Sequence, residues 1–279
     1  MATMLKLALT GPIAGGKSCV ALRLEKFGAQ IIDYDILARE AVSPGSAALE
    51  QIRGRWGKQM IAPDGTLNRT ALAAEVFRVP ESLRILNSVL HPVIAKMACA
   101  REKEILLRRP HCVIVHNIPL FLGSGLEFCV HAALHVNADR ETRIERMIRR
   151  RKMTRREAEE RIAAQDDPAA VAKMCDVHIK NDATPEILTH SVNWLWHSWI
   201  SPFADFLERP SACGRDTGEN RTGETGQGDE FAGRLKYLKI PREITFSTCS
   251  DLMKKRLAYC RDVRSFLVLS ECAERKYEK

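Results

Sequence analysis

Eight residues near the start of the chain, Gly11-Pro12-Ile13-Ala14-Gly15-Gly16-Lys17-Ser18, fit G-x-x-x-x-G-K-[ST], the phosphate-binding loop, and constrain the fold more than any other stretch. Glycines let the backbone curl so that successive N–H groups converge on phosphate oxygens, and the following helix adds its positive end at the same point. Lys17 is then expected to reach the β- and γ-phosphates, and the Ser18 hydroxyl to bind Mg²⁺. Such a loop needs a buried strand before it and a helix after it. The apolar run Leu5 to Thr10 supplies the strand; Cys19, Val20, Leu22, Leu24 and Phe27 recur at roughly helical spacing, with Gly28 placed to end the helix. Gln30-Ile31-Ile32 follows as a second strand.

That strand ends in Asp33-Tyr34-Asp35, with Ala38-Arg39 behind. In an open α/β sheet the C-terminal strand edge is where ligands bind. One of the two carboxylates can accept the proton of an attacking hydroxyl or orient a metal-bound water; alternatively, Asp33 or Asp35 caps the helix running through Ala41. From Val42 to about Met97 the pattern is helical, with a turn at Pro63-Asp64-Gly65-Thr66 and a break expected at Leu90-His91-Pro92, where a residue before proline is held extended. His91 therefore reads as a structural hydrogen-bonder. Strands return at Cys112 to Val115, Ala133 to Val136 and Val177 to Ile179. Five short apolar runs separated by helices predict an α/β fold: a five-stranded parallel sheet with helices on both faces and an inserted helical subdomain. His131 and His135 share one strand face but lack further ligands for a metal, so they read as core or surface histidines.

Composition narrows the function classes. The 279 residues carry a formal charge of +8, which suits either a nucleic acid or a polyphosphate ligand. The densest basic cluster, Arg143, Arg146, Arg149, Arg150, Arg151, Lys152, Arg155 and Arg156, falls in one helical hairpin, Glu141 to Arg151 and Thr154 to Ala164. Thr154-Arg155-Arg156-Glu157 opens the second helix as a capping box. A lid over phosphates is expected there, and no nucleic-acid partner. The nine cysteines form no C-x-x-C pair and read as small buried hydrophobes of a reduced compartment. With no run near the roughly 18 apolar residues a membrane span needs and no signal peptide, a cytoplasmic protein is expected. Residues 211–228 are polar and Gly/Thr-rich, a flexible linker, and residues 229–279 form a basic tail with a helix from Ser250 to Tyr259 and no chemistry of its own.

Taken in order from about residue 5 to about residue 200, these pieces resemble the dephospho-coenzyme A kinases. The resemblance rests on Leu9-Thr10 with the loop, Ile32-Asp33-Tyr34-Asp35 with Ala38-Arg39, Val42-Ser43-Pro44-Gly45, Pro63 to Leu67 with Arg69 and Leu72, Leu90 to Ile94, Ile118-Pro119-Leu120, Arg146, Arg150, Ala164-Gln165 and Asn181; Pro202-Phe203-Ala204 resembles the end of actinobacterial members. It implies a P-loop kinase fold over residues 1–210, with core 1–41 and 110–210, a substrate-binding insertion at 42–109 and a lid at 140–170. It implies transfer of the ATP γ-phosphoryl group to the ribose 3′-hydroxyl of dephospho-CoA, with Mg²⁺. Asp35 is the implied base, acting with Lys17. Gly11, Ala14, Gly15, Gly16, Lys17, Ser18, Cys19, Arg146, Arg150 and Asn181 are implied on the ATP side, with Ser18 on the metal and Asn181 near the adenine. Asp33, Arg39, His91 and Pro92 are implied on the acceptor side.

The chain departs from the family pattern where Asn117 and Gly123 replace two acids, where Pro168-Ala169-Ala170-Val171 replaces a cationic stretch after Gln165, and where Cys19 replaces Thr. Three other classes are weighed: another small-molecule or nucleotide kinase, a guanine-nucleotide switch, and a non-catalytic scaffold with a basic RNA-binding tail. The switch lacks an Asn-Lys-x-Asp motif after any later strand. Oligomeric state is left open.

Overall fold

The computed structural model describes residues 3–121, 124, 129–165, 167–208 and 240–247. Its centre is β1 (Thr3–Thr10), whose alternating side chains serve two cores at once. Leu5, Leu7 and Leu9, all at most 1% exposed, enter one apolar layer, while Ala8 enters the layer on the opposite face. Fully burying a leucine of this kind is worth about 1.5–3 kcal/mol, so these three contribute strongly to holding β1 at the centre of the sheet. The first layer is closed by α1 (Lys17–Lys26), α9 (Pro185–Leu195), a π-helical turn (Trp196–Ile200) and α10 (Ser201–Glu208). On the other face lie α2 (Tyr34–Ala41) and α5 (Pro80–Arg108).

β1 pairs in parallel with β3 (His111–Asn117) on one side and β4 (Ala132–Asn137) on the other; β2 (Gln30–Asp33) adds outside β3, and β5 (Val177–Lys180) outside β4. These five strands are the parallel sheet expected from the sequence. A sixth, β6 (Ile244–Phe246), joins β5 antiparallel and completes the order β2-β3-β1-β4-β5-β6.

Between β2 and β3, α3 (Ala47–Trp56), a 3₁₀ turn (Lys58–Met60), α4 (Arg69–Arg78) and the first half of α5 enclose their own cluster of Val42, Leu49, Ile52, Met60, Leu72, Val76 and Leu86. The insertion is therefore a small packed unit. The break expected at Leu90-His91-Pro92 is absent: α5 runs unbroken for 29 residues with Pro92 inside it. Proline costs its own N–H and a clash with the carbonyl four residues back, and here that local cost is outweighed by burial of Leu86 in the insertion's cluster before it and of Ala95, Ala98, Cys99 and Leu106 after it. α6 (Arg140–Arg151) and α7 (Arg155–Ala163) form the expected hairpin, with the Thr154–Glu157 capping box made in both directions. The short α8 (Pro168–Lys173) follows.

Residues 211–239 and 248–279 lie outside the described residues, so the expected linker and the Ser250–Tyr259 helix do too. Residues 240–247, expected to stand apart in the tail, are part of the sheet. Ile244 is 4% exposed, Phe246 meets the rings of Trp194 and Trp199, and Ser247 N–H donates to Asp176 O at 2.8 Å. Cutting the chain after Pro210 removes all of these. Losing the burial of Ile244 and Phe246 costs about 3–5 kcal/mol, and at about 2–4 °C per kcal/mol the melting temperature falls by roughly 10 °C. Calorimetry of the truncation against the full chain checks this; an unchanged midpoint means the strand adds nothing to the sheet.

Candidate active site

The loop Gly11–Gly16 leaves β1 at the C-terminal edge of the sheet and turns into α1. Two glycines here combine a positive φ with a blocked Cβ position. Gly11 has φ +145°, and a Cβ there would collide with the Val136 carbonyl; Gly16 has φ +108°, and a Cβ there would strike the Asn181 amide. Gly16 heads α1 with no side-chain cap, and the first turn carries no acid, so the positive end of the helix stays open to an anion.

The underside of the loop is held from three directions. Asn181 Nδ2 donates to Gly15 O at 2.9 Å, the Arg146 guanidinium donates to Asn181 O at 2.7 Å and Ala14 O at 3.3 Å, and Ile13 N–H donates to Gln165 Oε1 at 2.8 Å. Arg146 and Asn181 therefore brace the loop. Gln165, one of the residues carrying the family likeness but given no role by it, is a third brace that no local pattern announces.

Lys17 Nζ donates to Gly11 O at 2.6 Å, across the mouth of the loop. Burial pushes its pKa down; Asp35 and then Asp33 pull it back up, and the charge of Arg151 lowers it further. The lysine thus sits among the two carboxylates from the end of β2 and the basic end of α6, where Arg149, Arg150 and Arg151 are exposed. Arg155 and Arg156 point elsewhere: they pair with Glu141 and Glu160 on the outer face of the hairpin.

The two carboxylates have different surroundings. Asp33 is the cap of α2: its Oδ1 accepts from the N–H groups of Asp35 and Ile36, and its Oδ2 accepts from Asn117 Nδ2 at 2.7 Å. Asn117, standing where the family pattern has an acid, converts what would be a carboxylate pair into a hydrogen bond, and its own Oδ1 is buried without a partner. Asp35, one residue into the helix, is exposed, and no side chain among the described residues pairs with it. Arg39 is exposed one turn further along α2, while His91 and Pro92 are half-buried in the middle of α5. Ser18 and Cys19 are both exposed in the first turn of α1. For Cys19 this corrects the expectation of a buried thiol: among the described residues nothing covers the first turn of α1 at this position. Gly123 lies outside the described residues.

The donor set fits a nucleotide triphosphate with Mg²⁺. Among the described residues no three acidic, histidine or cysteine side chains converge on a metal, and a P-loop needs none, since Mg²⁺ takes the loop hydroxyl, phosphate oxygens and waters. Ser18 offers that hydroxyl beside the open helix end. His131 Nδ1 accepts from the Lys6 backbone N–H at 2.9 Å.

His135 lies beneath this edge, 3% exposed, with its ring 5.7 Å from that of His178. Burial first, then the charges of His178, Lys17 and Arg143, push its pKa down to about 4. The unfolded chain takes up this proton near pH 6.5 and the folded chain does not, so the contribution is fully present above pH 6.5 and is lost as pH falls through about 4. A shift of this size corresponds to about 3 kcal/mol. The melting temperature is expected to decline across that window, and less steeply in His135→Gln; equal slopes in the two proteins would assign the acid sensitivity to other groups.

A parallel core in the order 2-3-1-4-5 with a phosphate loop between β1 and α1, an insertion after β2 and a basic hairpin after β4 defines a P-loop kinase fold. The family model for dephospho-CoA kinases matches residues 5–186, and the chain belongs to that family. A dephospho-CoA kinase of Geobacter metallireducens is 41% identical over 198 residues, covering 71% of this chain and 98% of the relative. The Mycobacterium tuberculosis dephospho-CoA kinase is 36% identical over 205 residues, covering 73% of this chain and 49% of the relative, so the chain spans about half the length of the mycobacterial protein. A crystal structure from Thermus thermophilus superposes with a TM-score of 0.60 at 28% identity, covering 71% of this chain and 98% of that one. Among the described residues no helix is long and apolar enough to cross a membrane.

Proposed function

We propose that this chain transfers the γ-phosphoryl group of ATP to the ribose 3′-hydroxyl of dephospho-CoA, giving coenzyme A and ADP. The observation that carries the proposal is the pairing at one sheet edge of an open phosphate loop with an exposed carboxylate, Asp35, which no side chain among the described residues pairs with and whose charge reaches Lys17. A kinase active site needs those two groups face to face.

In this reading Asp35 takes the proton of the 3′-hydroxyl as its oxygen bonds to the γ-phosphorus and the bond to the β-phosphate breaks. Lys17 and the N–H groups of the loop, from Gly11 through Cys19, bind and orient the β- and γ-phosphates, and the Ser18 hydroxyl holds Mg²⁺. Bound Mg²⁺ neutralises the charge that develops on the transferring group. Arg150, with Arg149 and Arg151 beside it, closes over the phosphates from the lid. Arg146 keeps the loop in shape. Asn181 serves the adenine side from beneath the loop it braces, and Arg39, His91 and Pro92 serve the acceptor side, with Asp33 fixing the helix that presents Asp35. We place the enzyme in the cytoplasm, where its substrates are found, and take residues 1–210 with β6 as the catalytic unit.

The test is formation of coenzyme A when the purified full chain is given dephospho-CoA and MgATP, with adenosine and nucleoside monophosphates as alternative acceptors. Coenzyme A formation confined to dephospho-CoA supports the reading. Transfer only to another acceptor would replace it with a different kinase.

A further inference from the structure

A chain of buried polar side chains ties the insertion to the catalytic edge. Lys6, on the α5 side of β1, is 7% exposed, and its Nζ donates to Glu102 Oε2 of α5 at 2.6 Å. Glu102 Oε1 lies 3.0 Å from His116 Nε2 on β3, and His116 Nδ1 lies 3.2 Å from the hydroxyl of Tyr34. Glu102 is 4% exposed, His116 1% and Tyr34 8%. The four residues come from β1, α5, β3 and α2, and they end on the residue between Asp33 and Asp35.

Burying an ion pair with its attached histidine is an expensive way to hold a fold together, because apolar side chains of the same volume commonly do as well or better. What such a network does supply is fixed direction. Tyr34 occupies the first turn of α2, and its ring and hydroxyl set the rotation of that turn about the helix axis. Asp35, the next residue, is exposed, and among the described residues no side chain pairs with it to aim it. The turn that carries it is held by Asp33, which caps the helix, and by Tyr34, whose hydroxyl meets His116.

We infer that Tyr34, His116, Glu102 and Lys6 form a positioning device that presents Asp35 to the loop and makes its aim depend on the seating of α5. The inference rests on the proposed reaction. None of the four residues touches the reacting atoms. A misplacement of about 1 Å at a reacting group can cost on the order of 10²-fold in rate, so a loosened anchor is expected to show in kcat.

Tyr34→Phe keeps the ring and removes only the hydroxyl. In the full chain it is expected to lower kcat about tenfold while KM for MgATP stays within about twofold and the melting temperature within a few degrees. Amide hydrogens of residues 34–41 should exchange faster than in the unaltered chain. Lys6→Met combined with Glu102→Leu removes the ion pair without leaving a lone buried charge. It is expected to hold the melting temperature and still depress kcat, because His116 has lost its anchor. Wild-type kcat together with wild-type exchange in Tyr34→Phe overturns the inference, as does wild-type kcat in the double variant. The exchange measurement needs no acceptor, so a chain inactive toward dephospho-CoA would refute the proposed reaction while leaving the positioning device testable.

Discussion

Lys17→Ala abolishes phosphoryl transfer, with a loss of at least about 10²–10³-fold in kcat, the scale for removing one group that stabilises transferring charge. The structure separates this effect from any loss of fold. Among the described residues the lysine Nζ donates one hydrogen bond, to Gly11 O in its own loop, and Gly11 approaches Val136 closely on its own account. The braces under the loop come from Asn181, Arg146 and Gln165, which bond to Gly15, Ala14 and Ile13. Removing a partly buried ammonium that burial disfavours also relieves a desolvation cost. The melting temperature should therefore hold within a few degrees while single-turnover transfer disappears. Transfer at the wild-type rate in the variant would mean that phosphate is bound somewhere other than this loop.

What the sequence discloses and what it hides divides along the separation of the interacting residues. The strand, loop and helix from Thr3 to Lys26 are legible because every signal is local: the apolar run, the glycines at positive φ, and the lysine and serine that open the helix. The Thr154–Glu157 capping box is legible for the same reason. Pro92 misleads because its local preference for a helix break competes with packing of α5 on two layers, which a residue-by-residue reading does not weigh. β6 is hidden further still. Three residues, Ile244-Thr245-Phe246, are too few for an alternation to register, and their partner strand lies more than 60 positions earlier in the chain. The contacts that shape the site behave alike: Gln165 meets Ile13, and Glu102 meets Lys6, only once the sheet is assembled. Even Asp33 and Asp35, both plain in the sequence, look equivalent there, since either could cap a helix or face a substrate.

The structure gives the two different surroundings, Asp33 capping α2 and Asp35 exposed, and the proposed difference in role is measurable. Asp35→Asn should lower kcat by about 10²–10⁴-fold, the range for a positioned general base, while ATP affinity changes little. The amide fills the same space, and no side-chain hydrogen bond or ion pair of Asp35 among the described residues is lost with the charge, which acts on Lys17 only through space. Asp33→Asn acts through the fold. Asparagine can still cap α2 with its oxygen, but its amide then faces the amide of Asn117 in place of an acceptor, and one buried donor goes unpaired. The cost of leaving such a group unsatisfied is about 1–3 kcal/mol, so the melting temperature falls, with a smaller loss of kcat as Asp35 shifts with its helix. The two variants should thus split: one loses rate at constant stability, the other loses stability first. Calorimetry beside kcat and ATP binding reads both quantities. If instead Asp33→Asn silences the enzyme at full stability and Asp35→Asn is mild, the proton goes to Asp33, and the hydrogen bond from Asn117 becomes the contact that tunes the base.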